Sequence, residues 1–278
     1  MAEITAESVR ELREATNLGM MECKKALAET QGDKEKAIRL LRERGMLVAQ
    51  KKASRAANQG LVASVVAADG RTASLVEVNC ETDFVARNAL FVAFVKGLAE
   101  KACHTDGNLA DSEKNALVAK VQETGENLII RRNLRYVVQG TGVAASYIHL
   151  GGKIGVLVEA GCSLPATVES PAFKDAVKDL TMHIAACNPP YLTRDAVPAD
   201  VVAQEREIYS KQITGKPPAI IGKIVDGKMK KYFSDFCLLE QPFVKDPKQS
   251  VTDYLAARGK EAGDTLVVRR FTRWQIGA

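Results

Sequence analysis

Twice in this chain an alternating apolar stretch meets a glycine turn, returns as a second apolar stretch, and runs on into an amphipathic helix. No other feature limits the fold so much. LVASVVAADGRTASLVEVNC, from Leu61, reads as two strands around Asp69-Gly70, which supplies the positive φ a tight hairpin needs. VAASYIHLGGKIGVLVEAG reads as a second hairpin, turning at Gly151-Gly152. The first is followed by a helix with Leu90, Phe91, Phe94, Val95, Leu98 and Ala102 along one stripe. The second is followed by Phe173, Val177, Leu180 and Ile184, spaced four, three and four. A further helix opens near Asp111 with Leu117, Val118 and Val121, and NLIIRRNLRYVV and DTLVVRRFTRW read as closing strands. The expected fold class is therefore α+β: two subdomains built alike on antiparallel sheets, with weak residue identity between them.

The flanks carry different patterns. Residues 1–55 read as three short helices. Val9 and Leu12 mark the first, which Gly19 can stop. Ala26 and Leu27 mark the second, ending near Gly32. Asp33 caps a third that carries Ala37, Ile38 and Leu41, with Gly45 just past its end. QKKASRAANQG, residues 50–60, either continues that helix or forms a linker, and its Lys51, Lys52 and Arg55 read as a solvated basic face. The second α+β unit is interrupted: PADVVAQEREIYSKQI, a turn at Gly215-Lys216-Pro217-Pro218, and AIIGKIVDGKMKKYF make an antiparallel helical hairpin expected to protrude. The expected boundaries are 1–55, 56–140, 141–187 with 237–276, and the inserted hairpin at 188–236.

The sequence shows few signs of catalytic chemistry. The six cysteines stand at 23, 80, 103, 162, 187 and 237, too far apart for zinc spacing, and read as reduced, mostly buried thiols. No H-x-x-x-H pairs His104, His149 or His183. His183 lies on a mostly apolar helix and reads as a buried, satisfied imidazole. His104 is expected in a polar loop, and His149 ends a strand, where it is free to meet a partner or solvent. Gly140–Ala145, GTGVAA, superficially fits a dinucleotide fingerprint, but SYIHL after it reads as strand, so the glycines mark a bend; no P-loop occurs. A dispersed pair of catalytic side chains remains an open alternative. Net charge is +5 and aromatic residues make up 5%, so an RNA reader's stacking platforms are not evident. The polar opening MAEITAESVRELRE is not a signal peptide, and no apolar run spans a bilayer, so a soluble, cytoplasmic protein is expected.

Several long motifs, in order, resemble the elongation factor Ts family. They are ITAESVRELREATNLGMMECKKAL with GDKEKAIRLLRERG, then VEVNCETDFVARN, HIAACNPPYLTRDAVPADVVAQERE, GKPPAIIGKIVDGKMKKYF and LLEQPFVKD. The resemblance implies a ubiquitin-associated-type N-terminal helical domain. It also implies guanine nucleotide exchange on elongation factor Tu, in its GDP-bound and nucleotide-free forms, with no cofactor, no covalent chemistry, no membrane and no direct nucleic-acid partner. It places Thr82, Asp83, Phe84 and Val85 where the partner's Mg2+ is dislodged, and Arg13, Met20, Met21 and His149 at further contacts. Residue chemistry alone has Thr82 or Asp83 capping a helix, Phe84 turning into the core, and at least one of Met20 and Met21 in the small helical core. Family members commonly continue into a C-terminal helix; this sequence ends at RWQIGA.

Overall fold

The computed structural model describes residues 4–278. Three helices come first, α1 (Ala6–Thr16), α2 (Met20–Glu29) and α3 (Lys34–Lys52). Thr5 and Asp33 cap α1 and α3, accepting from Ser8 N and Lys36 N, and Asn17 in the left-handed region ends α1. Leu12, Leu18, Cys23, Leu27 and Leu41 fill the small core. Gly45 does not end α3, as the sequence suggests; the helix continues to Lys52. Gly45 is buried where α3 crosses α7 (Lys114–Thr124), and a Cβ there would stand 2.5 Å from Gln122 Oε1. This glycine marks a close approach of two helices and not a terminus.

The centre is built from two three-stranded antiparallel sheets. β1 (Gln59–Val66), β2 (Thr72–Cys80) and β3 (Ile129–Val137) form one, and β4 (Gly142–His149), β5 (Ile154–Gly161) and β8 (Val267–Gln275) the other. They lie face to face, joined by Val62, Ala73, Leu75 and Tyr136 from one and Ala144, Leu157 and Trp274 from the other. Alternation puts the other set of side chains outward. α5 (Ala89–His104) covers Val76 and Val78 with Phe91, Val95 and Leu98. α8 (Pro171–Cys187) covers Val156 and Val158 with Phe173, Leu180 and Ile184. The result is four layers, helix, sheet, sheet, helix, which confirms the α+β class. His104 ends α5 and does not lie in a loop.

The two units repeat closely. Ser64 and Ser146, 82 residues apart, hydrogen-bond to each other at 2.9 Å between the sheets. Val62 N–H donates to Gly152 O in the other unit's turn, and Ala144 N–H donates to Gly70 O, both at 2.8 Å. Each middle strand buries a glutamate opposite a β-bulge that brings two consecutive arginines onto one carboxylate. Arg132 Nε and Arg131 Nη1 reach Glu77 at 2.6 and 3.2 Å, and Arg270 Nε and Arg269 Nη1 reach Glu159 at 2.7 and 3.5 Å. Identity between the units is weak in number but falls on such positions.

Two segments complete the chain. α9 (Ala199–Lys211) and α10 (Pro218–Phe236) form the helical hairpin, and Pro218 opens α10 where the sequence reading had put it in the turn. Val225, Met229 and Tyr232 make a cluster of their own with Tyr209 and Val202. The hairpin joins the body through Tyr191 O, which accepts from Leu238 N at 2.8 Å. Beyond it lie β6 (Pro242–Phe243), β7 (Asp246–Ser250) and α11 (Val251–Ala262), an element the sequence pattern did not reveal. α11 starts from a Ser250–Asp253 capping box and sets Tyr254 on Phe243, ring centroids 4.0 Å apart. His183 beneath is fully buried. Its Nδ1 accepts from Val244 N at 3.1 Å, so Nε2 carries the proton and donates to Gln241 Oε1 at 2.9 Å.

Candidate docking surface

β2 ends at Cys80, and the chain must turn to enter α5. Glu126, just before β3, fixes that turn. Its carboxylate accepts from Glu81 N and Thr82 N at 3.0 Å each and from the Thr82 hydroxyl at 2.5 Å. Glu81 in return accepts from Asn127 N at 2.6 Å. Thr82, held this way, caps the five-residue helix α4 (Asp83–Arg87) by accepting from Val85 N. Asp83 pairs with Arg87 at 3.1 Å, and Asn88 caps the next helix by accepting from Leu90 N at 2.8 Å. Both ends of α4 are thus tied to the scaffold.

The fixed turn decides what each side chain can do. Val85 packs on the core and Ala86 is buried. Phe84, between them and the cap, is 83% exposed. Thr82 caps as residue chemistry expects, but Phe84 does not turn inward; the anchored inner face is already filled by its neighbours. Leaving a phenylalanine in water forgoes about 1.5–3 kcal/mol of burial, an arrangement that points to contact with something else. Burial pushes the adjacent Cys80 thiol up to about 12, which keeps it protonated and inert at neutral pH.

The N-terminal corner is a second surface. Met20 and Met21 are both exposed, 54% and 64%, where at least one was expected in the core. α2 begins at Met20 and turns Cys23, Ala26 and Leu27 inward, and these with Leu12 and Leu18 leave no room. Arg13, Met20 and Met21 come together on one groove of about 820 Å³. His149 ends β4 exposed, its Nδ1 3.0 Å from the Tyr147 hydroxyl and its ring stacked on Tyr147 at 5.7 Å. Leu150 follows with φ 50° and 68% exposure, an apolar tip that the sequence reading did not single out. Gln59, paired in register with Cys80, accepts from Lys153 Nζ at 2.8 Å, so the β4–β5 turn and α4 share one end of the sandwich.

Among the described residues no cluster of three or more His, Cys, Asp or Glu could hold a metal ion, and no helix is long and apolar enough to cross a membrane. What the surface offers is a rigid projecting aromatic ring and a groove bordered by methionines.

Comparison with known proteins gives that surface its setting. The family described as Elongation factor TS matches residues 81–278. An elongation factor Ts of Clostridium botulinum (strain Eklund 17B / Type B) is 45% identical over 287 residues, covering 99% of this chain and 93% of the relative. One from Nitratidesulfovibrio vulgaris (strain DP4) is 45% identical, covering 99% and 96%. One from Nautilia profundicola is 42% identical, covering 100% and 94%. The chain is a translation elongation factor. It belongs to the elongation factor Ts family, matched over nearly its whole length.

Proposed function

We propose that this protein is a guanine nucleotide exchange factor that binds elongation factor Tu in its GDP-bound and nucleotide-free states, acts without a cofactor, and catalyses no covalent reaction. The observation that carries the reading is the exposure of Phe84 on a helix fixed at both ends. Exchange is a negative coupling: a factor that weakens GDP binding must itself be bound less well when GDP is present. Mg2+ joins the phosphates to a GTPase through a strict octahedral shell, so displacing the groups around it loosens the nucleotide. A displacing group must not yield when pushed. Thr82 and Asp83 set the start of α4, Val85 anchors it, and Phe84 is the side chain left to enter the partner. Arg13, Met20, Met21 and His149 supply docking contacts away from the wedge, with methionines suited to an adaptable apolar seat. Translation elongation places this work in the cytoplasm, and neither membrane nor nucleic acid is needed for it.

The test is release of fluorescent GDP from elongation factor Tu. The protein should accelerate release, and Phe84→Ala should cut that acceleration about tenfold or more, the loss expected of a central interface anchor. No acceleration by the wild-type chain overturns the reading. Unchanged acceleration by Phe84→Ala removes Phe84 from it.

A further inference from the structure

The two repeated units differ at the outer edge of their third strands. In the first, Arg135 of β3 donates from Nε to Cys103 O at 2.9 Å and pairs through Nη1 with Asp106 at 2.8 Å. Asn133 fastens the same segment: its Oδ1 accepts from Leu109 N at 3.0 Å and its Nδ2 donates to Gly107 O at 2.8 Å. The chain's own residues 106–109, with an acidic side chain among them, therefore cover that edge.

In the second unit Arg273 takes the place of Arg135, donating from Nε to Ala185 O at 3.1 Å. Asn188 stands where the first unit has Asp106, and Phe271 where it has Asn133. Among the described residues Arg273 has no carboxylate partner; Nη2 donates to Gln275 Oε1 at 3.0 Å. Burial holds its guanidinium below the ordinary arginine value, the mark of a charge short of counterion. A groove of about 580 Å³ lies between β8 and Asn188–Leu192, lined by Arg269, Arg270 and Arg273 and, among the described residues, by no acidic side chain. Glu159, the carboxylate that Arg269 and Arg270 share, is buried behind them. β8 pairs with β5 alone, and among the described residues no backbone hydrogen bond from another segment reaches the outer side of residues 267–274.

We propose that this groove docks an extended acidic segment of a partner protein, which adds to the edge of β8 as a further strand and sets a carboxylate on Arg273. An open strand edge presents alternating N–H and C=O groups, which an extended peptide satisfies. A phosphate backbone would meet the arginines but not those alternating groups. A partly desolvated guanidinium without a counterion gains most from a carboxylate in fork geometry. The first unit performs the same recognition within the chain, Asp106 on Arg135. The inference does not depend on the exchange reading.

The test uses the full chain at low ionic strength, where charge recognition is least screened. A short fluorescein-labelled peptide alternating glutamate and valine is titrated by fluorescence anisotropy beside its lysine–valine counterpart. The acidic peptide should bind and the basic one should not. Arg273→Gln should weaken binding about tenfold or more, as loss of a charge-assisted hydrogen bond does. Asn188→Asp should weaken it similarly, because it restores to the second unit the counterion of the first; aspartate tolerates the left-handed φ of 47° there. Arg135→Gln should leave binding unchanged. Thermal melts of each variant establish that the fold persists. Equal binding of the two peptides, binding unaltered in both Arg273→Gln and Asn188→Asp, or tighter capture of labelled oligouridylate than of the acidic peptide would each overturn the proposal.

Discussion

Phe84 presents its ring to solvent from a helix whose neighbours are all engaged, and truncating it should cost the fold almost nothing. Phe84→Ala is expected to change stability by less than about 0.5 kcal/mol, as for a surface position away from caps and cores; a thermal melt reads this directly. A loss of about 3–5 kcal/mol would instead mark a core residue. His183 gives the opposite kind of prediction. Burial holds it below the ordinary imidazole value, so the folded chain keeps it neutral while the unfolded chain takes up a proton at its usual pKa, near 6.5. Between those two values the unfolded state binds more protons, so stability should fall as pH drops below about 6.5 and level off below the folded value. Melting temperatures measured between about pH 7.5 and 5.5 should show that slope, and His183→Gln should flatten it while lowering stability throughout. The burial of His183 was legible in its apolar helix. The exposure of Phe84 was not legible in the residue type, because it depends on Glu126, a carboxylate 44 residues from Thr82 with no local signature.

At the scale of elements, α4 owes its position to that carboxylate more than to its own five residues. Glu126→Gln keeps the shape but weakens the acceptor for Glu81 N, Thr82 N and the Thr82 hydroxyl. It should cost about 1–3 kcal/mol of stability and also slow GDP release by several-fold, since the wedge would no longer be rigid. Loss of stability with full exchange activity would show that rigidity is not required. Each sheet also opens on a glycine at φ 148° or 152°, where a Cβ on Gly60 would fall 2.3 Å from Val78 O and one on Gly142 2.1 Å from Ala160 O. Gly60→Ala and Gly142→Ala should each destabilise by about 2–4 kcal/mol in urea unfolding, since backbone strain and a backbone clash combine. Hairpins and their helices were legible because period and turn residue agree. α11 was not. Val251, Tyr254 and Leu255 are its only large buried side chains, and they crowd the first turn. Gly45 misled because a glycine that ends a helix and one that lets another helix approach look alike in sequence.

Across the whole molecule, the hairpin from α9 to α10 has an apolar cluster apart from the sandwich, joined to it near Tyr191 and Cys237. Replacing residues 198–233 by a short Gly/Ser link should leave a cooperatively melting body; collapse on that deletion would show that the hairpin is part of the core. The repetition of the plan was legible as pattern. Its depth was not, because the matching positions are the glycines, the glutamates and the doubled arginines of a bulge, scattered among unlike neighbours. The interruption also bears on the order in which this molecule forms. β3 follows β2 after four helices, α4, α5, α6 (Leu109–Ser112) and α7, but β8 reaches β5 only after α8, the whole hairpin and α11 have been passed. Closing a longer loop costs about 0.6 kcal/mol more for each doubling, and pairings distant in sequence are slow to form. On a ribosome the first sheet can close while the last strand is still inside the exit tunnel. The second sheet spends that interval with β5 lacking one neighbour, and the half-built sandwich is the state most exposed to mispairing with another nascent chain.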